Sequence, residues 1–396
     1  MSNLMVLHAV PDLRRAAGGI AAVLPALCEA LREEGVESRI LTFSQDESDA
    51  LADRTTLLPE RFPWALARRM RAETARWREE AHRGGRDFIC HSHGIWSFLN
   101  HGLATAARAE RAPLAISMHG MLLPWARRHK AMRKAVAWRL YQERDLARAD
   151  ATHVTSEAER AAAEAAGVHG PFAVIPFGVD LPQAEAAIPA APAAPAAASR
   201  ASVQERTLLF LGRVHPIKNI DGLLVAFARA KLDGWRLRIV GPDDGGHREA
   251  LWRLAQELGV ADRLNFEEPA FGEAKARLLE QTDLLILPSH SENFGVVVAE
   301  ALAYGTPAIA STGTPWSALE SQSCGWWVSP EPDELAATLR FASLMAPEAL
   351  RAMGARGRAY VQTHLTWPTC ARRMTDLYRS LAAQGGRGQP LSVSMS

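Results

Sequence analysis

Short apolar runs alternate with stretches of helical period along the first part of the chain. Runs at 4–10, 38–43, 87–91, 114–119, 151–156 and 173–177 predict strands, and 20–34 predicts a helix between the first two. A βαβ series of this kind builds a parallel sheet. The pattern breaks at 183–206, where Ala and Pro dominate and Pro189, Pro192 and Pro195 recur at regular spacing, the composition of a linker. Beyond it the grammar restarts, with runs at 207–211, 236–240, 263–266, 283–288 and 307–310. The expectation is an α/β protein of two doubly wound domains, 1–182 and 207–365, followed by a helix at 366–385 and a flexible polar tail at 386–396. Ligands of such sheets sit outside the carboxyl ends of the strands, and two sheets facing one another would make an interdomain cleft.

Length supports two domains, since 396 residues exceed what one core usually organises. A composition of 48% hydrophobic and 22% charged residues excludes wholesale disorder. The formal charge is only +1, so no global field collects nucleic acid, and any basic patch must be local. Four widely spaced cysteines form no Cys-x-x-Cys pair and predict reduced thiols. The opening residues lack a basic region ahead of a long apolar stretch, so a cytoplasmic protein is expected. No run is long and apolar enough to span a membrane, which leaves attachment to a membrane surface open.

Two constellations carry chemistry. Strand 208–211 stops at Gly212 and delivers Arg213 and Lys218 before a helix expected near Asn219. A guanidinium fork and an ammonium point charge at a strand end suit a diphosphate, although an isolated Arg and Lys at a turn are more often simply solvated. After the strand at 283–288 come Glu292, Asn293, Phe294 and Gly295, then Glu300. Glu292 is expected in the turn before a helix and Glu300 two turns onward, about 12 Å along the axis. Carboxylates accept from hydroxyls, so Glu292 suits a sugar and Glu300 a ribose diol, with backbone donors at 293–295 for oxyanions. Taken singly, each acid reads better as a cap or an ion-pair partner.

The order and strand-end placement of both segments, followed by Tyr304-Gly305-Thr306-Pro307, closely resemble the donor-binding half of family 4 glycosyltransferases of GT-B fold. Gly18-Gly19 is similar to that family's phosphate-side glycine loop, 174–180 to the segment closing its N-terminal domain, and 365–378 to its terminal helix, which crosses back onto that domain. The resemblance implies a nucleotide-diphosphate sugar donor, retention of configuration, no cofactor and no obligatory metal. It assigns Arg213 and Lys218 to the diphosphate, Glu292 to the transferred sugar, Glu300 to the ribose, and His119 to a hydrogen bond near the reacting carbon. The chain departs from the pattern where Ser311-Thr312-Gly313-Thr314 replaces a frequent Gly-Gly pair, and in its long linker.

His91 and His93 end another strand and are expected on opposite sides of it, with His93 and Trp96 as acceptor-side candidates. A zinc reading of His91, His93 and His119 lacks a close fourth ligand. Residues 125–141 read as one helix with an apolar stripe of Met132, Val136 and Leu140 beside Arg127, Arg128, Lys130, Arg133 and Lys134. That face suits either core packing or an anionic membrane surface at the inner leaflet. The activity expected is transfer of a sugar to a hydroxyl of a glycan or polyprenyl-linked glycan in cell-surface polysaccharide assembly. Same-face attack is favoured over double displacement through a carboxylate. A non-catalytic nucleotide-sugar-binding scaffold and a sugar-nucleotide epimerase are the alternatives, whereas an NAD enzyme is disfavoured because no Gly-x-Gly-x-x-Gly follows the first strand.

Overall fold

A computed structural model describes residues 3–14, 18–46, 51–59, 62–182 and 205–385. Almost all of the expected linker and the whole tail at 386–396 lie outside these residues. The chain forms two compact units, Met1–Gly178 with Trp367–Ser396, and Val179–Thr366. In the first, β1 (Leu4–Ala9), β2 (Val36–Thr42), β3 (Thr55–Leu57), β4 (Asp87–His93), β5 (Leu114–Ser117), β6 (Ala151–Val154) and β7 (Phe172–Val174) make a seven-stranded sheet of order β3-β2-β1-β4-β5-β6-β7. Every pairing is parallel. The second unit holds β8 (Arg206–Leu211), β9 (Trp235–Val240), β10 (Leu264–Glu267), β11 (Leu284–Leu287), β12 (Ala308–Ser311) and β13 (Gly325–Val328), ordered β10-β9-β8-β11-β12-β13 and again wholly parallel.

Every strand expected from the apolar runs is present. The two additional ones, β3 and β13, are edge strands, where half-exposed positions need no continuous apolar run. Strand order reverses between β1 and β4 in one unit and between β8 and β11 in the other. The loops after those four strands therefore diverge and leave a crevice at the sheet's carboxyl edge.

Strand alternation divides the first unit's core. Met5, Leu7, Phe88, Cys90, Leu114 and Ile116 pack on one face, against helices Pro63–Arg83 and Phe98–Glu110. Leu4, Val6, Ile89, Ala115 and Ala151 face the other way, onto helix Ile20–Glu33 and helix Trp367–Ala383, which contributes Cys370, Met374, Leu377, Tyr378 and Leu381. Each fully buried Leu, Ile, Val, Met or Phe among them contributes about 1.5–3 kcal/mol.

The single helix expected at 125–141 is broken. Pro124–Arg128 is one short helix and Ala131–Ala137 another, with Lys130 between them in the left-handed region (φ 54°), and a wider π-type turn spans Trp138–Gln142. Met132, Val136 and Leu140 are exposed, so they do not pack into a core. Lys134 turns back to donate to the Ala126 carbonyl and lies over the Trp96 ring. Among the described residues, no helix is long and apolar enough to cross a membrane.

In the second unit, helix Pro347–His364 packs against helix Val296–Ala303 through glycines. A Cβ on Gly354 would lie 1.7 Å from the Gly305 carbonyl oxygen, and one on Gly357 2.5 Å from Leu302. Because backbone cannot yield as a flexible side-chain tip can, Gly354→Ala is expected to destabilise this unit by about 2 kcal/mol or more. Urea denaturation should show its transition at lower denaturant.

Candidate functional site

Both constellations lie at carboxyl ends of strands. After β8 the chain turns at Gly212, and Pro216–Lys218 forms one 3-10 turn ending at Asn219, whose left-handed backbone (φ 55°) opens helix Ile220–Ala230. The Asn219 amide donates to the carbonyls of Pro288 (3.1 Å) and Pro330 (2.8 Å), tying the β8 loop to the β11 loop. Lys218 is thereby brought onto Glu292, with which it makes a largely buried ion pair. The same Glu292 oxygen accepts from the Ser289 hydroxyl at 2.7 Å, while the Glu292 amide donates to the Gly313 carbonyl at 2.9 Å. Lys218, Ser289, Glu292 and Gly313 thus converge from the ends of β8, β11 and β12.

The other two charges stand apart from this group. Arg213 is half exposed and donates to Asp244 at 2.9 Å. Glu300 accepts from Lys275 at 2.5 Å, a lysine on helix Gly272–Glu280. Asp244 and Lys275 were not among the expected site residues, although Asp244 follows β9 at the same sheet edge. Helix Val296–Ala303 begins only after Gly295, so Glu300 stands in its second turn and Glu292 outside it. Glu292 in the turn before the helix and Glu300 along it are the placements expected from the sequence. Gly295 (φ 75°) caps the helix, and a Cβ there would also meet Leu287 at 3.0 Å and the Trp316 indole nitrogen at 3.2 Å. That indole donates to the Phe294 carbonyl at 2.6 Å, fixing the 293–295 turn.

In the first unit, Gly18 (φ 67°) and Gly19 (φ 37°) open helix Ile20–Glu33 in conformations that favour glycine, with open space where side chains would be. The histidines correct the expectation above. Residues two apart on a strand share a face, and the His91 and His93 ring centroids lie only 4.2 Å apart. The same alternation puts His8 of β1, Ser117 of β5 and His153 of β6 beside them, on the face covered by helix Trp367–Ala383. All are buried.

One hydrogen-bonded chain has its tautomers dictated by a carbonyl. The Ile175 oxygen can only accept, so His153 donates from Nε2 (2.8 Å) and its Nδ1 is an acceptor. Ser117 must then donate to His153 Nδ1 (2.6 Å) and accept from His91 Nε2 (2.7 Å). His91 Nδ1 in turn accepts from the Tyr378 hydroxyl at 2.7 Å. A second chain runs from His8 Nδ1 to His93 Nε2 (2.9 Å) and from His93 Nδ1 to His119 Nε2 (3.1 Å). His119 follows β5 on a left-handed turn (φ 52°) and stacks on Phe177.

His8, His91 and His93 have nitrogens within 4.8 Å of one another, a spacing that could hold a metal ion. The donor set fits poorly. Both His91 nitrogens and both His93 nitrogens are already in hydrogen bonds, leaving His8 Nε2 as the one free nitrogen of the three rings. Among the described residues, no carboxylate bonds to any of these three rings to offset a divalent charge.

Trp96 stands beyond β4 at φ 80°, held by the Gln142 side chain on its amide (2.8 Å) and the Tyr141 hydroxyl on its carbonyl (2.6 Å). It walls two open cavities. One, of about 670 Å³, is lined by Phe43, Leu58, Pro63, Leu66 and Phe98, and the other, of about 740 Å³, by Leu122, Trp138 and the cations Arg127, Arg128, Lys134 and Arg139.

Two family models divide the chain between them: Glycosyltransferase Family 4 matches residues 17–183 and Glycosyl transferases group 1 matches residues 196–360. The chain belongs to the group 1 glycosyltransferases. The D-inositol 3-phosphate glycosyltransferase of Segniliparus rotundus is 36% identical over 226 residues, which cover 55% of this chain but only 49% of that protein. The sucrose-phosphate synthase of Thermosynechococcus elongatus superposes with a TM-score of 0.71 at 24% identity, covering 96% of this chain and 99% of that one. Anabaena Alr3699/HepE in complex with UDP gives 0.72 at 18% identity, covering 95% and 100%. These likenesses show the GT-B fold.

Burial holds five histidines in the first unit of this glycosyltransferase neutral. It lowers His8 and His119 to about 3 and His153 to about 4, and puts His91 and His93 well below the usual imidazole value. Unfolded, all would bind protons near pH 6.5, so the unfolded state takes up more protons as pH falls. Their contribution is fully present above pH 6.5 and is lost as pH drops from there towards 4. Each contributes a slope of up to about 1.4 kcal/mol per pH unit in that window. Denaturation of the first unit followed from pH 8 to pH 4 should show a steep fall in stability beginning near 6.5, and His153→Gln should make it shallower.

Proposed function

We propose that this glycosyltransferase moves a sugar from a nucleotide-diphosphate donor to a hydroxyl of a glycan or lipid-linked glycan, with retention of configuration, in the assembly of a cell-surface polysaccharide. The observation that carries the reading is the meeting of Lys218, Glu292, Ser289 and the Gly313 backbone at the carboxyl ends of β8, β11 and β12, with Arg213 on the same β8 loop. Such a group holds one end of a polar ligand at the strand-order reversal of the sheet. UDP and UDP-glucose complexes of the Anabaena protein support the choice of donor.

The site's cations can turn from their acids toward a diphosphate. Asp244, Glu292 and Glu300 balance Arg213, Lys218 and Lys275, so the empty site is near neutral. Lys218 can turn one N–H to a phosphate oxygen while keeping Glu292, since an ammonium has three donors. Half-exposed Arg213 exchanges Asp244 for the diphosphate at low cost, because a surface pair contributes little. Both then stabilise the negative charge that grows on the departing diphosphate. Glu292, oriented by Ser289, accepts from a hydroxyl of the transferred sugar, Glu300 from the ribose, and His119 bonds the sugar near the reacting carbon. The acceptor attacks from the face the diphosphate leaves, and its proton passes to the leaving phosphate. The two cations take the place of an obligatory metal.

With the cognate donor, NMR of the product should show the anomeric configuration retained and turnover unaffected by EDTA. Arg213→Ala and Lys218→Ala should each lower kcat/KM on the order of a hundredfold. Inversion, or rescue of EDTA-treated protein by magnesium, would overturn the reading.

The acceptor side rests on the first unit, where the apolar cavities beside Trp96 suit an amphiphilic acceptor. We place the enzyme at the cytoplasmic face of the plasma membrane. Exposed Met132, Val136 and Leu140 stand beside Arg127, Arg128, Lys130 and Arg133, each cation worth about 1 kcal/mol at an anionic surface. The protein should co-sediment with anionic liposomes at low salt and release as salt rises. Neutralising those four cations should abolish binding, and equal binding by the neutralised protein would sink the membrane assignment.

A further inference from the structure

The chain of His8, His93 and His119 has a property that the carbonyl-anchored chain beside it lacks: its two ends are open. Three neutral imidazoles carry three N–H protons on six nitrogens. The two inter-ring bonds consume two of them. The third proton must sit either on His8 Nε2 or on His119 Nδ1, both buried and without a hydrogen-bond partner among the described residues. Because each ring holds one proton, the choice at one end sets every tautomer in the chain.

The two ends are not equivalent. His8 is wholly enclosed between the sheet and helix Trp367–Ala383, so an N–H on its Nε2 would stay orphaned. An orphaned buried N–H is rarer in folded proteins than an under-satisfied acceptor. His119 is instead partly exposed as a residue, although its Nδ1 is covered, and its backbone is clamped from behind. The Gly120 amide donates to Glu159 at 2.5 Å, and the other Glu159 oxygen accepts from the Thr155 amide (2.7 Å) and hydroxyl (2.9 Å). With its backbone fixed and its Nε2 held by His93, the ring keeps Nδ1 in one direction.

We propose that the chain is polarised from His8 to His119, so that His119 presents a neutral Nδ1–H donor to an oxygen of a bound ligand. His8 and His93 are then positioning residues that hold that tautomer. The ligand chemistry is an oxygen acceptor, and its identity as a sugar oxygen rests on the transferase reading above. A neutral donor of this kind binds a hydroxyl without adding positive charge beside a developing oxocarbenium centre.

The test uses full-length protein with 15N-labelled histidines and long-range 1H–15N correlation spectra at pH 7.5. The expected result is protonated Nδ1 and unprotonated Nε2 in all three rings. Protonated Nε2 in His119 would overturn the proposal whether or not any variant folds. His8→Leu removes the donor to His93 Nε2 and should leave His119 in mixed tautomers. His8→Asn places an amide N–H where Nδ1 was and should restore the single tautomer. A His119 spectrum unchanged in His8→Leu would also overturn the relay. In transfer assays, His8→Leu should lower kcat/KM on the order of tenfold, the equivalent of one neutral hydrogen bond, with Asn restoring it. A tautomer that shifts as expected while transfer stays unchanged supports the relay and overturns the catalytic placing of His119 instead.

Discussion

Much of the first unit depends on one constraint: polar side chains buried under a helix must find all their partners there. The sheet face beneath Trp367–Ala383 is apolar at the strand starts, with Leu4, Val6, Ile89 and Ala151, and becomes polar toward the carboxyl ends, with His8, His91, His93, Ser117 and His153. A lone imidazole there would cost the desolvation of its N–H and its lone pair. Linked to one another, to Tyr378 and to the Ile175 carbonyl, the rings satisfy most of those groups with no charge at all. The arrangement also ties residues from β4, β5 and β6 to a helix more than 200 residues distant in sequence, since Tyr378 completes the chain that begins at Ile175. Helix and sheet are thus joined by directional bonds as well as by apolar area.

The second unit solves the opposite problem, holding charge at a sheet edge. Each cation there has an acid, but the pairs differ in burial. Lys218 with Glu292 is mostly enclosed, whereas Arg213 with Asp244 is about half exposed, at 53% and 45%. An enclosed pair keeps its geometry and defines a direction, and breaking it leaves an uncompensated charge. An exposed pair is screened and exchanges partners easily. The two cations assigned together to the diphosphate therefore differ in mobility: Lys218 is part of a fixed frame and Arg213 is free to follow a ligand.

What was legible in the sequence divides along the range of the interactions. Parallel strands buried on both faces announce themselves as apolar runs, so β1, β4, β8 and β11 could be read directly, whereas the crevices between them depend on the strand order. Edge strands β3 and β13 could not, because their pairing lies elsewhere in the chain. The alternation of residues along β4 was available and contradicts the opposite-side placement of His91 and His93. His8 and His153 followed from the same rule applied across neighbouring strands, which requires knowing the strand order. Ion pairing of Glu300 with Lys275 lay beyond sequence, since it depends on how helix Gly272–Glu280 is set against helix Val296–Ala303. The break at Lys130 was concealed because its flanking residues are good helix formers, and only the left-handed backbone reveals it.

The departure at 311–316 shows how a local sequence change can keep a site's geometry. Gly313 cannot carry a side chain, since a Cβ would lie 2.5 Å from the carbonyl oxygens of both Ser289 and His290. The backbone of the β12 loop therefore lies directly against that of the β11 loop, and the Gly313 carbonyl accepts from the Glu292 amide. The neighbouring residues secure this approach. The Ser311 hydroxyl donates to the Ser289 carbonyl, and the Thr314 hydroxyl donates to the Ser311 carbonyl at 2.7 Å, while its own carbonyl accepts from the Trp327 indole at 2.9 Å. One glycine makes the close contact here, and hydroxyls on either side hold the turn. The position of Glu292 thus rests on Gly313 and its two hydroxyl-bearing neighbours as much as on its own segment.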